Sequence, residues 1–243
     1  MALISDGATL GTILSIWAHP DDESYCCAGL MAMALRAGHR VVCVTATRGE
    51  LGSTDEQRWP PGAPLAEVRT KELAACLAEV GVTEHIWLDY PDGGCADADA
   101  EDAVARLRSI AEEVRPDTVL TFGPDGGTWH PDHITVSNWT TEAVAGMSAQ
   151  LHYASVTPQW QNAINEFVDP SLVMMADKPP LVHPVDELSI RVVLDGDLLD
   201  MKYRAMLCQE SQVGPLLELA GPDRFRALLA EESFRDARRE PRD

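Results

Sequence analysis

Basic residues are scarce in this sequence. Only 19 Lys and Arg stand against 39 Asp and Glu, which gives a formal net charge of −20 at pH 7. A surface of that sign repels phosphate backbones and anionic lipid headgroups. We therefore expect no nucleic-acid partner and no membrane-surface partner. An anionic substrate would need a local basic pocket.

Long apolar runs and export signals are also absent. No segment approaches the about 18 consecutive apolar residues that a membrane-spanning helix needs. Residues 1–15 have no basic n-region and only a short apolar stretch, which indicates the approach to a strand rather than a signal peptide. The six cysteines form no CxxC pair, as expected of reduced thiols in an intracellular protein. These absences predict a cytoplasmic protein.

The motifs of several common enzyme classes are missing as well. The sequence has no GK[ST] phosphate loop and no GxGxxG after a predicted strand, so nothing in it predicts nucleotide binding. It has no GxSxG elbow, which argues against serine hydrolysis. Hydrophobic residues nevertheless make up 45% of the 243 residues. A chain of this length can bury a sizeable core without disulfides.

Apolar segments with β-branched residues alternate with segments of helical periodicity. Strands are predicted at 12–18, 40–46, 85–88 and 118–122, and helices at 23–37, 65–80, 101–114 and 132–147. This alternation predicts an α/β fold with a Rossmann-like, mostly parallel sheet and helices on both faces. We expect a single domain over residues 1–243, with a less regular part at 150–243. In that part, 188–193 predicts a strand, 197–208 a helix, and 223–243 a surface helix with a frayed tail.

Two polar clusters directly follow predicted strands. His19-Pro20-Asp21-Asp22-Glu23 follows the first strand, and His130-Pro131-Asp132-His133 follows the fourth. A single cluster of this kind is typical of a turn with a helix-capping Asp. Two clusters at equivalent strand ends favour a metal site, because imidazole and carboxylate are common ligands of catalytic divalent ions.

His19, Asp22 and His133 would supply two nitrogens and one oxygen to a metal. Asp21 and His130 would then remain free for proton transfer. Spacing alone therefore predicts a metal-assisted hydrolase.

Further segments carry a resemblance to a known family. HPDDE at 19–23 and HPDH at 130–133 are accompanied, in collinear order, by TRGELG at 47–52, Arg69-x-x-Glu72, YPDG at 90–93 and TFGPDG at 121–126. Over about residues 12–145 the sequence resembles the LmbE/PIG-L family of zinc-dependent N-deacetylases. The resemblance implies a three-layer α/β/α fold. It also implies hydrolysis of an N-acetyl or similar acyl group on a small amino-sugar-type substrate.

The resemblance implies a role for each matching residue. His19, Asp22 and His133 match the zinc ligands, although ferrous iron suits the same donor set. Asp21 matches the general base that deprotonates the attacking water. His130 matches the imidazole that stabilises the oxyanion or protonates the leaving amine.

Other matches concern the surroundings of the site. Asp132 matches a carboxylate that orients His130, and Arg69 and Asp92 match positions that bind sugar hydroxyls. Trp129 replaces the usual glycine and could stack on a sugar or pack against a loop. Gln209 stands where the family helix usually has histidine, and it receives no role.

Alternatives to deacetylation remain open at this point. The same residues would serve an amidase that cleaves a thiol–sugar conjugate, a metal-dependent esterase or phosphoesterase, or a non-catalytic metal-binding member of the family. The sequence leaves the substrate and the oligomeric state open, a homo-oligomer included. The acidic composition favours a polyhydroxylated, uncharged or amine-bearing compound over a phosphate-rich one.

Overall fold

Eight strands form one sheet in the computed structural model, which describes residues 2–3, 7–169 and 174–239. The strands are β1 (Ala2–Leu3), β2 (Ile13–Trp17), β3 (Val41–Thr45), β4 (Glu84–Trp87), β5 (Thr118–Thr121), β6 (Gln150–Ala154), β7 (Ile190–Val193) and β8 (Glu231–Asp236). Their order is β1-β7-β8-β6-β5-β2-β3-β4. β8 runs antiparallel to both of its neighbours, and the other pairs are parallel.

The helices are α1 (Asp22–Arg36), α2 (Ala63–Val80), α3 (Ala100–Val114), α4 (Pro131–Ala143), α5 (Pro158–Asn165), α6 (Gly196–Leu207), α7 (Glu210–Ala220) and α8 (Pro222–Leu228). α1, α2 and α6 pack together, as do α3 and α4. All five residues of β2 are buried, so the central strand is covered on both faces. This confirms the predicted α/β fold with a mostly parallel sheet. Within the described ranges no helix has both the length and the apolarity to span a membrane.

The C-terminal part differs from the prediction. Residues 223–243 were predicted as a surface helix. Instead, α8 ends at Leu228, and β8 enters the sheet between β6 and β7. Residues 240–243 lie outside the described residues. The charged residues of β8 favour a solvated helix over a strand in the sheet. Glu232, however, is only 2% exposed. β6, α5 and α7 were also missed.

A buried ion pair accounts for the burial of Glu232. Lys202 on α6 donates from Nζ to Glu232 Oε1 at 2.7 Å, and neither side chain is exposed. The same Nζ donates to the carbonyl of Tyr25 at 2.8 Å. α1 leaves helical geometry at Cys27, and the next free N–H groups, those of Gly29 and Leu30, both donate to the Glu232 carboxylate at 2.8 Å. The pair therefore fixes the break between the first turns of α1 and the rest of that helix.

We expect Lys202→Met to destabilise the fold by about 3–5 kcal/mol, because it leaves the Glu232 carboxylate buried without its cation. Urea unfolding followed by circular dichroism measures the loss. Arg40→Met is the matched control, since the Arg40–Glu84 pair is more than 40% exposed on both sides, and it should cost less than about 1 kcal/mol. Equal losses in the two variants would contradict this role for the buried pair.

Candidate metal centre and active site

The ring of His19 is oriented by two carboxylates. His19 follows β2, and its Nε2 lies 3.0 Å from Asp92 Oδ1 and 3.2 Å from Asp132 Oδ2. Asp132 is fully buried and also accepts the backbone N–H groups of Gly93 and Cys95. Because Nε2 faces two acceptors, it carries a proton, and Nδ1 is the ring nitrogen that faces the site.

His133 lies in the first turn of α4, and its Nδ1, rather than its Nε2, is the nitrogen held by the protein. Its Nδ1 donates to the carbonyl of Gly126 at 2.9 Å, and its ring stacks on Phe122 with centroids 4.1 Å apart. Burial lowers the pKa of His133 to about 4, so its ring is neutral at pH 7. The lone pair of Nε2 then points into the site.

The remaining nitrogens of the two rings face one another beside a third carboxylate. His19 Nδ1 lies 3.0 Å from His133 Nε2. Asp22 Oδ2 is 3.7 Å from the first nitrogen, and Oδ1 is 3.5 Å from the second. In the metal-free protein a proton on His19 Nδ1 joins the two nitrogens in a hydrogen bond, and a divalent cation bound here would take the place of that proton. The second nitrogen of each ring is engaged by a carboxylate or a backbone carbonyl, as in metal-binding histidines generally. The donor set therefore fits a divalent cation.

The site also stabilises positive charge. Burial disfavours a charged His19 ring, but the surrounding carboxylates, with Asp132 and Asp92 foremost, outweigh burial and raise the pKa of His19 to about 10.

His130 offers a further nitrogen near His19 and His133. It fits less well than Asp22 as a third ligand. Its Nδ1 already accepts the backbone N–H of Asp132 at 3.1 Å, and burial, together with His19, lowers its pKa. The ring is therefore neutral with its proton on Nε2. It lines the cavity as a hydrogen-bond donor.

Asp21 lies next to the converging nitrogens in a strained backbone conformation. Its φ is 112°, a value that residues other than glycine rarely adopt. Burial raises the pKa of Asp21 to about 7, although Arg69 opposes the shift. A carboxylate with a pKa near 7 is suited to accept a proton at neutral pH.

Two buried side chains hold Asp21 in place, and neither has a role that is evident from the sequence. Glu23 Oε2 accepts the backbone N–H of Asp21 at 3.1 Å, and Oε1 accepts from Gln209 Nε2 at 2.8 Å. Glu23 and Gln209 are both fully buried. Gln209 comes from the junction between α6 and α7, so the C-terminal part of the chain reaches the strained residue through one glutamate.

The structure uses several predicted residues in other ways. Asp132 was expected to orient His130, but its carboxylate accepts a hydrogen bond from His19 instead. Arg69 is 3% exposed and donates to the carbonyls of Gly49 and Pro20, so it fastens two loops around the site. Asp92 accepts from Leu51 N–H as well as from His19. Arg69 and Asp92 both line the cavity, and their contact with sugar hydroxyls stays a prediction.

Trp129 packs against a loop, the second of the two predicted alternatives. Its indole N–H donates to the carbonyl of Pro179 at 3.0 Å, and Lys178 Nζ lies 4.6 Å from the ring centroid. Trp129 is not among the described residues that line the cavity.

Comparison with known proteins gives the family context. A model described as PIG-L, GlcNAc-PI de-N-acetylase, matches residues 14–144. The 1D-myo-inositol 2-acetamido-2-deoxy-alpha-D-glucopyranoside deacetylase of Kineococcus radiotolerans is 39% identical over 54% of this chain and 44% of its own length. The protein of the same name from Acidothermus cellulolyticus is 31% identical over 86% and 83%. The chain spans about half the length of the first three curated relatives that it matches.

Solved structures share the fold at low identity. N,N'-diacetylchitobiose deacetylase from Pyrococcus horikoshii superposes with a TM-score of 0.66 at 21% identity, over 97% of this chain and 86% of its own. The A40926 pseudoaglycone deacetylase Dbv21 gives a TM-score of 0.66 at 22% identity, over 93% and 96%. At this identity the likeness establishes the architecture alone.

We expect His19→Ala and His133→Ala to abolish tight binding of a divalent cation, because each removes one of the facing nitrogens. Asp132→Asn should weaken binding by about 10–100-fold, because it loosens the orientation of His19. Titration of the metal-free protein with Zn²⁺ in a calorimeter measures both effects. The half-buried His39, whose Nε2 lies 3.3 Å from the carbonyl of Ala8, supplies the control variant His39→Ala, which should bind as the wild type does. Full binding by His133→Ala would refute the assignment.

Proposed function

We propose, since this chain belongs to the PIG-L family of GlcNAc-PI de-N-acetylases, that it is a zinc-dependent hydrolase that removes an N-acetyl group from an amino sugar. The observation that carries the proposal is the meeting of His19 Nδ1 and His133 Nε2 beside Asp22. The curated relatives are named as deacetylases of an acetamido sugar linked to inositol. Their names support an amide of this class as the substrate.

His19, Asp22 and His133 would hold the metal. A divalent ion there supplies Lewis acidity, which polarises the amide carbonyl and acidifies the attacking water. Asp21 accepts the proton of that water, since its pKa of about 7 leaves a substantial fraction ionised at neutral pH.

His130 is the proposed hydrogen-bond donor to the oxygen of the amide. Because its Nδ1 is already an acceptor for Asp132 N–H, its Nε2–H is the available donor. A neutral imidazole in this state donates a hydrogen bond to the oxygen on which negative charge develops. The products are acetate and a free amine.

Reduced cysteines at all six positions support a cytoplasmic location.

We expect Asp21→Asn to lower kcat by about 10²–10⁴-fold, because the attacking water loses its proton acceptor. Metal content should stay unchanged, since Asp21 is not among the proposed ligands. Acetate release from N-acetylated amino sugars measures turnover, and elemental analysis measures the metal. Asp102→Asn, at an exposed position on α3, is the control. Near-normal turnover by Asp21→Asn would rule out the general-base role.

Gln209 is expected to act as a positioning residue through Glu23. Gln209→Met removes the donor to Glu23 and should lower kcat by about tenfold, the equivalent of one lost hydrogen bond. KM should change less than about twofold, because Gln209 is not among the described residues that line the cavity. Gln209→His restores a donor at the same place and should recover most of the activity. A purely structural role would lower stability without separating kcat from KM.

A further inference from the structure

The cavity at the proposed active site is larger than the reacting groups require. Its volume is about 740 Å³, within the range of about 300–1,000 Å³ that is typical of sites for drug-sized ligands. Its lining includes His19, Asp21 and His130. It also includes apolar side chains of α5, α7, α8 and the turn after α5, namely Trp160, Ile164, Val168, Leu216, Phe225 and Leu228. We call the space beside these six side chains the apolar compartment.

The side chains that line the apolar compartment are largely buried and do not form a surface patch. Phe225 is fully buried, and Ile164 and Leu228 are 9% and 8% exposed. Ile164, Val168 and Leu228 form a small hydrophobic cluster separate from the main core. Atoms of these side chains line the cavity. Water in this space is unfavourable, because apolar atoms offer it no hydrogen bonds.

Two polar side chains beside this compartment have hydrogen-bond partners within the protein. The indole N–H of Trp160 donates to the carbonyl of Leu228 at 2.9 Å, which leaves the apolar ring for contact. Gln161 donates to Asn165 at 2.8 Å.

The carboxylates of β8 at the cavity wall are similarly satisfied. Glu231 accepts from Thr157 and pairs with Arg191, and Glu232 pairs with Lys202. Both carboxylates are therefore already paired with a cation of the protein.

We propose that the apolar compartment binds a hydrocarbon group of the substrate, so that the preferred substrate is an N-acylated amino sugar carrying an apolar chain. This inference rests on the proposed function. The chain could belong to the acyl group or to the aglycone, since both leave the amide carbon at the metal. The chemistry is hydrolysis in either case: water adds to the amide carbon, the C–N bond breaks, and a carboxylic acid and an amine are released.

Two substrate series test the proposal with the wild-type protein. One series lengthens the acyl group of N-acylglucosamine from acetyl to hexanoyl. The other lengthens the aglycone of N-acetylglucosamine from methyl to hexyl. In the series whose chain enters the compartment, kcat/KM should rise about threefold to fourfold for each buried methylene. A flat response in both series overturns the proposal.

A matched pair of variants on α7 locates the effect. Leu216→Trp fills the compartment and should bring the hexyl-to-methyl or hexanoyl-to-acetyl ratio of kcat/KM down towards one. Leu219→Trp lies three residues further on, at a position that is 54% exposed, and should keep the wild-type ratio. Circular dichroism checks that both variants fold. A wild-type ratio in a folded Leu216→Trp variant overturns the assignment of the compartment.

Binding without turnover separates this inference from the proposed function. Calorimetry compares hexyl N-acetylglucosaminide with methyl N-acetylglucosaminide, and N-hexanoylglucosamine with N-acetylglucosamine, on the metal-loaded Asp21→Asn variant. Tighter binding of a longer chain with no turnover in the wild type would reject the proposed function and uphold the compartment. Turnover with no effect of chain length on rate or binding would uphold the function and reject the compartment.

Discussion

The buried ion pair between Lys202 and Glu232 connects the two parts of this molecule. Glu232 accepts the free N–H groups at the break in α1, while Lys202 binds both that carboxylate and the carbonyl of Tyr25. Burying two charges is costly unless each is fully hydrogen-bonded, and here the helix break supplies the missing partners. The first turn of α1, which carries Asp22 and Glu23, is therefore held by elements that come about 200 residues later.

Sheet topology explains why the two His-Pro-Asp segments meet. β2 and β5 are parallel neighbours, with Ile13 opposite Thr118. Their carboxyl ends therefore open on the same edge, the usual place for a site in an α/β sheet. Convergence alone does not set the protonation of the imidazoles. That depends on the Asp92 and Asp132 carboxylates for His19, and on the Gly126 carbonyl for His133.

The sequence predicted the N-terminal half well because the relevant signals are local. β2 and β5 are short apolar runs. The first cluster follows β2 after one residue, and the second follows β5 after a glycine-rich loop. The signals for β8 and Gln209 are not local. In the sequence Glu232 resembles a surface charge, and only the fold shows that it pairs with Lys202. The contact between Gln209 and Glu23 is likewise visible only in the fold. The positive φ of Trp129, which turns its indole towards Pro179, is likewise invisible in the residue's identity.

The two halves of the chain thus contribute different properties to one cavity. The family match covers residues 14–144, and within it lie the donors that meet around His19 and the strained Asp21. Every residue of the apolar compartment lies beyond it. The match therefore covers the proposed reacting groups, whereas the residues proposed to select the group carried by the amide lie on α5, α7, α8 and the turn after α5.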